Sequence, residues 1–157
     1  MVKKVKDTNT SLAKNKKAFF DYEIIDKYEA GMVLLGSEVK SMKLGKVSIK
    51  EAYCKFVGNE LFVIGMFVSE YKGASVFTHV TTRERKLLLH KQELKRLKQK
   101  SENTGMTVVP LEVYKAKHLI KIRIALAKGK REYEKRDTIR DRDAEREIQR
   151  AMKKSIY

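Results

Sequence analysis

The chain has 157 residues, enough for one domain with a substantial hydrophobic core. Its 36 lysine and arginine residues outnumber its 20 acidic residues and give a formal net charge of +16, which favours a polyanionic partner, nucleic acid before an anionic membrane surface. No apolar run approaches the ~18 residues that span a bilayer, and the first residues carry no apolar secretory segment, so a membrane or secreted protein is disfavoured.

Catalytic and metal-binding motifs are not found in the sequence. Cys54 is the only cysteine, and its strand-like segment predicts a buried side chain in a reducing cytoplasm. The histidines His79, His90 and His118 are scattered without the spacing of a metal site. With no phosphate-binding loop or nucleophile elbow either, we expect a protein that is not an enzyme and that holds no metal and no cofactor.

The N-terminal third of the chain is predicted to combine an arm with a strand. Residues 1–14 are polar and lysine-rich without sustained periodicity, which predicts a disordered basic arm. Aromatic and β-branched residues concentrate from Lys17 to Tyr28 and predict a strand. The following Glu29-Ala30-Gly31 is expected to be a turn or bulge that leads into a second strand.

The stretch Ala30–Lys46 is predicted to fold as a buried strand followed by a short helix. Met32–Leu35 has the composition of the strand, Ser37 is a suitable helix N-cap, and Gly45 is a stop. Glu38 lies where the helix dipole favours a negative charge. The helix would have an apolar face with Leu35, Val39 and Met42, and a cationic face with Lys40 and Lys43.

The middle of the chain is predicted to contain a hairpin, a loop and a helix. The hairpin pairs Ser48–Val57 with Glu60–Val68 across a Gly58-Asn59 turn, and the loop covers Ser69–Thr82. A helix that ends near Asn103 and Gly105 could begin at a Thr81–Glu84 capping box or after His90. We favour the later start, which makes Leu87-Leu88-Leu89 extended and buries Leu94 and Leu97.

Two further strands, Met106–Tyr114 and His118–Ala127, complete the predicted body. In the second, Ile120, Ile122, Ile124 and Leu126 face one way while Lys121 and Arg123 face the other. Five or six mostly antiparallel strands with flanking helices predict a β-rich α+β fold over residues 15–129, an OB-like antiparallel β-barrel that binds RNA. A half-open α+β sandwich is the alternative.

Residues 130–157 are predicted to be a basic C-terminal tail. Basic and acidic residues alternate in blocks, with a sparse apolar row of Ile139, Ala144, Ile148 and Met152. An opposite-charge pair adds only about 0.3 kcal/mol to a helix, and a lone helix of this length is marginal in water. We therefore predict a tail that is disordered or frayed when free and helical on a partner, with a surface-docked helix as the alternative.

Several short runs, in order from Asn15 onward, resemble the SsrA-binding proteins (small protein B) of bacterial trans-translation. They are Asn15-Lys16-Lys17-Ala18, Tyr28-Glu29-Ala30-Gly31, Gly36-Ser37-Glu38-Val39-Lys40-Ser41, Arg83-Glu84-Arg85-Lys86-Leu87-Leu88-Leu89-His90 and Ala127-Lys128-Gly129-Lys130. The resemblance implies a monomeric cytoplasmic adaptor that binds the tRNA-like domain of transfer-messenger RNA (tmRNA). It also implies delivery of alanylated tmRNA, with elongation factor Tu and GTP, to stalled ribosomes.

The same resemblance assigns two sets of site residues. It implies that tmRNA is bound by Asn15, Glu29 and Leu88, supported by Lys16, Lys17, Lys40, Arg83, Arg85, Lys86 and Lys128. A carboxylate such as Glu29 could accept hydrogen bonds from base amino groups or a 2′-hydroxyl, or it could instead stabilise a turn. Leu88 could be an apolar platform for an unpaired base, or it could be core.

The second set lies in the tail and implies contact with the decoding centre and the mRNA channel of the ribosome. It comprises Gly129, Lys130, Arg131, Tyr133, Glu134, Lys135 and Arg136. Glu134 stands where the family carries an aspartate, so the charge is kept and the side chain is one methylene longer. The resemblance implies that Tyr133 stacks on a ribosomal base and that Lys135 and Arg136 hold phosphates.

Two other functions fit the composition. A structural ribosomal protein with a barrel body and a basic extension is the main alternative. An RNA-processing nuclease would need clustered acidic residues, for which Glu23, Asp26 and Glu29 are the candidate set. Strand geometry is expected to spread those three along the chain, so the nuclease is the weakest hypothesis.

Overall fold

The computed structural model describes residues 9–73 and 79–155. Within them, antiparallel strands form the body and helices flank it, which confirms the β-rich α+β prediction. The elements are β1 (Thr10–Lys14), α1 (Lys16–Asp21), β2 (Tyr22–Met32), α2 (Gly36–Lys43), β3 (Val47–Ser48), β4 (Tyr53–Val57), β5 (Glu60–Ile64), β6 (Phe67–Val68), β7 (Arg85–Leu88), α3 (Lys91–Ser101), β8 (Met106–Ala116), β9 (Leu119–Gly129) and α4 (Glu132–Lys154).

Seven of the described strands form one antiparallel sheet in the order β1-β8-β4-β5-β7-β2-β9. β8 also pairs with β9, the last strand in that order, so the pairings return to β8. The link between β4 and β8 is short, with one ladder pair between Cys54 and Val108. The two short strands β3 and β6 pair with each other separately.

Side-chain alternation along β9 supplies both hydrophobic clusters of the body. Ile122, Ile124 and Leu126 are fully buried in the larger cluster, as their spacing predicts. Because neighbouring strand residues face opposite sides, Ala125 and Ala127 contribute instead to a smaller cluster on the other face. There they pack with Ala18 of α1, which places that helix against the outside of the sheet.

The prediction of a strand from Lys17 to Tyr28 is wrong in its first residues, because Lys16–Asp21 is helical. The side chain of Asn15 caps this helix: its Oδ1 accepts a hydrogen bond from the Ala18 amide at 3.1 Å. Burial of Ala18 then fixes the helix on the sheet. A cap and a tertiary contact therefore override the β propensity of the aromatic residues.

The predicted disordered arm, residues 1–14, differs from the structure at its C-terminal end. Thr10–Lys14 forms β1 and pairs with β8, for example Thr10 with Lys115. The backbone partner lies about a hundred residues away, so the local sequence carries no periodic signal for this strand. The remainder of the arm, residues 1–8, lies outside the described residues.

The apolar run Met32–Leu35 is not a buried strand. Met32 is buried at the end of β2, but Val33 and Leu35 are about half exposed, at 46% and 48%. Leu35 occupies the N-cap position of α2, so Ser37 lies inside the helix, where its hydroxyl is 2.9 Å from Nδ1 of His79. The predicted turn or bulge at Glu29–Gly31 is likewise absent, because β2 continues through it and its pairing with β9 has no register shift there.

Predictions for the rest of the body are confirmed with changed bounds, except that part of the predicted loop Ser69–Thr82, residues 74–78, lies outside the described residues. Gly58 and Asn59 join β4 to β5, although Ser48–Ala52 lies outside that hairpin. α3 begins after His90 as favoured, with Leu97 fully buried and Leu94 packed against the core. The last two strands, β8 and β9, pair along nearly their whole length.

The tail forms a helix over Glu132–Lys154 with no buried residue among those described. Ion pairs between Arg140 and Asp137 and between Arg146 and Asp143 lie along it at 4.0 Å and 3.8 Å. Exposed pairs of this kind contribute only a few tenths of a kcal/mol each. That the free helix frays therefore stays a prediction.

Replacing Gly65 with alanine is expected to destabilise the fold. Gly65 has a φ of +78°, and a Cβ there would lie 2.7 Å from the backbone oxygen of Glu51. The left-handed conformation alone costs an alanine about 1–2 kcal/mol, and the contact with backbone adds to it. Gly36→Ala is the matched control, because a Cβ there meets nothing within 4 Å, and urea unfolding of both variants measures the difference.

Candidate nucleic-acid interface

An open recess beside the β2–β7 pair brings together two of the predicted site residues. The ladder pairs Gly31 of β2 with Leu88 of β7, so Glu29 and Leu88 line the same recess, with a volume of about 310 Å³. Lys121 of β9 lines it as well. The recess thus combines a carboxylate acceptor, an apolar surface and a cation, which suits an unpaired nucleotide.

Glu29 forms an ion pair with Arg123, a residue that sequence reasoning did not assign to a site. Arg123 Nη2 lies 3.6 Å from Glu29 Oε1, and its Nη1 donates to Glu112 Oε2 at 3.0 Å. The guanidinium also lies 5.0 Å from the ring centroid of Tyr114. Burial, together with the Glu29 carboxylate, raises the pKa of Tyr114 to about 12, so its phenol stays neutral at physiological pH. The alternating pattern of β9 places Arg123 on the face opposite the buried isoleucines, and this was the signal in the sequence that could have identified it.

Leu88 lies at the surface and not in the core, since half of it is exposed. It separates the Glu29 recess from a larger groove along α3, and it lines both. Lys86, two residues earlier on β7, also lines this groove, and its Nζ donates to Glu60 Oε1 at 2.7 Å. Three predicted residues, Glu29, Lys86 and Leu88, are therefore neighbours on one surface.

Asn15, in contrast, is buried and its side chain is engaged inside the protein. Its Oδ1 caps α1 and its Nδ2 donates to the Pro110 carbonyl at 3.1 Å. It therefore orders the start of α1 instead of presenting its amide to RNA. The neighbouring Lys16 and Lys17 are exposed and remain available.

Arg85 does not fit the predicted role of an RNA-binding cation, because its side chain is completely buried. Its Nε donates to Glu38 Oε2 at 2.9 Å, and its guanidinium nitrogens donate to the carbonyl oxygens of Met66, Thr81 and Arg83. Arg83 donates to the other Glu38 oxygen at 2.8 Å and is only partly exposed. The two arginines hold α2 against β7 through one buried carboxylate.

The stability of the protein is expected to fall in acid through Glu38. Burial by itself would raise the pKa of this carboxyl group, but hydrogen bonds and charge from Arg83 and Arg85 outweigh burial and lower it below its ordinary 4.5. A depressed folded-state pKa stabilises the fold above about pH 4.5, and this contribution is lost as the pH falls through the folded value. Urea unfolding between pH 3 and 6 measures it, and Glu38→Gln should flatten this dependence.

The other basic residues lie apart from the Glu29 recess. Lys40 Nζ lies 5.3 Å from the ring centroid of Tyr71. Lys128 lines a different recess at the base of the tail, together with Glu23 and Tyr133. The predicted basic set is thus distributed over several surfaces and does not form one cluster.

The junction between the body and the tail is held by contacts to α1. Gly129 ends β9, the Lys130 amide donates to the Asp21 carbonyl at 2.9 Å, and Lys135 Nζ lies 3.6 Å from Asp21 Oδ1. Glu134 accepts from the Arg131 amide at 3.3 Å and so caps α4. Of the predicted tail residues, Gly129, Arg131, Tyr133 and Arg136 are exposed.

Neither a metal-binding cluster nor a membrane-spanning helix is found in the part of the chain that the structure describes. Within residues 9–73 and 79–155, no three histidine, cysteine or acidic side chains are grouped so that they could hold a metal ion. In the same residues, the apolar helical length needed to cross a bilayer is not reached.

Comparison with known proteins agrees with the resemblance seen in the sequence. The family model described as SmpB protein matches residues 12–154. The SsrA-binding protein of Fusobacterium nucleatum subsp. nucleatum is 50% identical over 142 residues, which cover 90% of this chain and 96% of that protein. The SsrA-binding protein of Flavobacterium psychrophilum is 49% identical over 140 residues, with 88% and 93% covered.

A solved structure extends this agreement from sequence to fold. The structure described as "tmRNA-SmpB: a journey to the center of the bacterial ribosome" contains a chain that is 39% identical to this one. The two superpose with a TM-score of 0.64 over 81% of this chain and 93% of the other. The resemblance to the SsrA-binding proteins is thereby confirmed, and the chain belongs to the SmpB family.

Proposed function

We propose that this chain is an RNA-binding adaptor of trans-translation. It binds the tRNA-like domain of tmRNA and delivers it, alanylated and with elongation factor Tu and GTP, to stalled ribosomes. Its relatives are named for binding SsrA, and the similar solved chain is described with tmRNA and the ribosome. The RNA-binding role rests on one observation, which is that Glu29 and Leu88 line the same open recess.

The body that presents this recess is proposed to be an OB-like barrel over residues 15–129. The return of the strand pairings from β9 to β8 supports closure, since a ring of paired strands has few free edges. Such a body is a rigid platform for recognising RNA by shape and by phosphate contacts. As a cytoplasmic monomer it would hold the tRNA-like domain without covalent chemistry.

The tail is proposed to enter the mRNA channel when no message fills it. Its helix of 23 residues is about 35 Å long at 1.5 Å per residue, and none of its described residues is buried by the body. Tyr133 and Arg136 are exposed near its start and are available to the decoding centre. Steric competition with mRNA would then distinguish a stalled ribosome from a translating one.

Glu29→Gln is expected to weaken binding to the isolated tRNA-like domain, because a carboxylate can accept hydrogen bonds at both oxygens, whereas an amide can accept at only one atom. Titration across a salt series measures the wild-type affinity and its electrostatic part. Glu102→Gln is the matched control, since it makes the same change from carboxylate to amide at an exposed residue outside the Glu29 recess. Wild-type affinity that is micromolar or weaker at low salt would contradict the proposal.

Sedimentation distinguishes the proposed adaptor from the alternative, a structural ribosomal protein. Such a protein would stay with the small subunit at one copy per particle, whereas an adaptor associates chiefly with stalled ribosomes.

A nuclease would cleave the tRNA-like domain in the presence of Mg²⁺, so intact RNA after incubation excludes that role.

A further inference from the structure

We propose that the groove between β7 and α3, called here the α3 groove, binds a second unpaired nucleotide of the RNA that occupies the Glu29 recess. The α3 groove is lined by Asn59, Glu60, Lys86, Leu87, Leu88, Leu89, Lys91, Leu94, Lys95 and Lys98. The inference rests on the proposed function and deepens it, because it assigns Leu94, Lys91 and Lys95 to RNA recognition.

The size and floor of the α3 groove suit a nucleobase. Its volume is about 620 Å³, within the range of roughly 300–1,000 Å³ for sites that bind small ligands. Leu88, Leu89 and Leu94 supply an apolar surface, and flipped or unpaired bases commonly pack against apolar side chains. α3 forms the opposite wall because the chain turns back at His90 directly after β7.

The rim of the α3 groove is cationic, which favours a nucleotide over an apolar peptide. Lys91 and Lys95 lie one helical turn apart on α3 and are both exposed. Within residues 9–73 and 79–155, neither forms an ion pair. Lys98, in contrast, donates to the Gly58 carbonyl at 2.8 Å and to Asn59 Oδ1 at 3.0 Å. Two cations therefore remain for phosphates above an apolar floor.

Polar groups among the lining residues can bind the edge of a base. Asn59 Oδ1 accepts from Lys98, which orients the amide so that its Nδ2 can donate. Glu60 receives a hydrogen bond from Lys86 on Oε1, and its second carboxylate oxygen can accept from a base amino group. Both groups line the α3 groove, so apolar contact and edge recognition are available together.

The α3 groove and the Glu29 recess adjoin each other. Leu88 and Leu89 line both, and half of Leu88 is exposed between them. An RNA strand crossing Leu88 would place one base on each side of it. This continuity is the reason for assigning the two sites to the same RNA.

Methyl NMR of the full chain tests the proposal with the tRNA-like domain as probe. Occupation of the α3 groove by a base is expected to shift the Leu94 methyl signals through the ring current, and to shift those of Leu88 and Leu89. Leu111 is the control, since it is buried in the smaller cluster beside α1. RNA binding that shifts Leu88 and leaves Leu94 unchanged would overturn the α3 groove site and keep the proposed function.

Charge removal gives an independent readout. The variant Lys91→Gln with Lys95→Gln loses two phosphate contacts, so the slope of log affinity against log salt is expected to fall by about 1.4–1.8. At 0.1 M salt this corresponds to binding of the tRNA-like domain about 25- to 60-fold more weakly. Lys153→Gln with Lys154→Gln removes the same charge at the end of α4 and should leave this affinity unchanged. Equal losses in the two variants would overturn the proposal, as they would reflect net charge alone.

Discussion

Replacing Arg85 with alanine is expected to lower the free energy of unfolding by about 3–5 kcal/mol, as for other buried ion pairs that lose one partner. The substitution would leave the fully buried Glu38 carboxylate with only Arg83, and it would remove the donors to the carbonyl oxygens of Met66 and Thr81. Thermal or urea unfolding measures the loss. A loss below about 1 kcal/mol would contradict the buried ion pair.

Two further variants separate the contribution of charge from that of packing. Arg83→Ala should cost less than Arg85→Ala, because the Arg83 side chain is 31% exposed and water can replace part of its contact with Glu38. Glu38→Met combined with Arg85→Met should recover much of the loss, since it removes the buried charges and keeps the volume filled. A double variant as unstable as Arg85→Ala would show that hydrogen bonds to the backbone dominate.

The RNA affinity of the Arg85 variant distinguishes a residue that stabilises the fold from one that binds RNA. Because Arg85 is buried, its substitution should reduce affinity for the tRNA-like domain only as far as it unfolds the protein or disturbs β7. Lys86→Gln changes the adjacent exposed lysine of the α3 groove and should weaken binding without a comparable loss of stability. The two neighbours on β7 are thus expected to have opposite phenotypes.

Removal of the tail is expected to abolish rescue of stalled ribosomes and to spare binding of the tRNA-like domain. The cut is best placed after Lys130, because the pairing of Gly129 with Tyr22 and the contact of the Lys130 amide with Asp21 both belong to the body. Rescue is measured as tagging of a nascent chain on ribosomes with truncated message, and binding by titration. The expected change is complete loss of the first and no measurable change in the second.

Failure of RNA binding by this truncated chain would contradict the division between body and tail. Tyr133→Ala is the sharper variant within the tail, since Tyr133 is exposed and lies next to Glu134, which caps α4. It should reduce rescue while leaving helix content unchanged. Circular dichroism of this full-length variant checks the latter.

Much of the fold follows from local patterns. The alternating isoleucines of β9 and the Gly58-Asn59 turn predict buried faces and a hairpin that are present in the structure. The start of α3 after His90 could be favoured from the sequence, because Glu93 stands at the third helical position and Leu94 and Leu97 share one apolar face. Periodicity succeeds where a segment has one apolar face.

Other features depend on partners that are distant in the sequence. β1 exists because residues near 10 pair with residues near 115, and α1 exists because a cap coincides with burial of Ala18. In the site, Glu29 and Leu88 could be proposed from the resemblance, whereas Arg123 was missed. Its contact with Glu29 arises only from the pairing of β2 with β9.

The sequence by itself determined the membership of the family, the strong positive charge and the positions of most strands. Only the tertiary structure decided which of the candidate site residues face solvent, and so separated Arg85 and Asn15, both buried, from Leu88, which is half exposed, and Lys86, which is partly exposed. The physical reason is that a charged or amide side chain can be buried wherever distant groups satisfy its hydrogen bonds. For Arg85 these groups come from α2, from Met66 between β5 and β6, and from the segment before β7, which no local pattern connects.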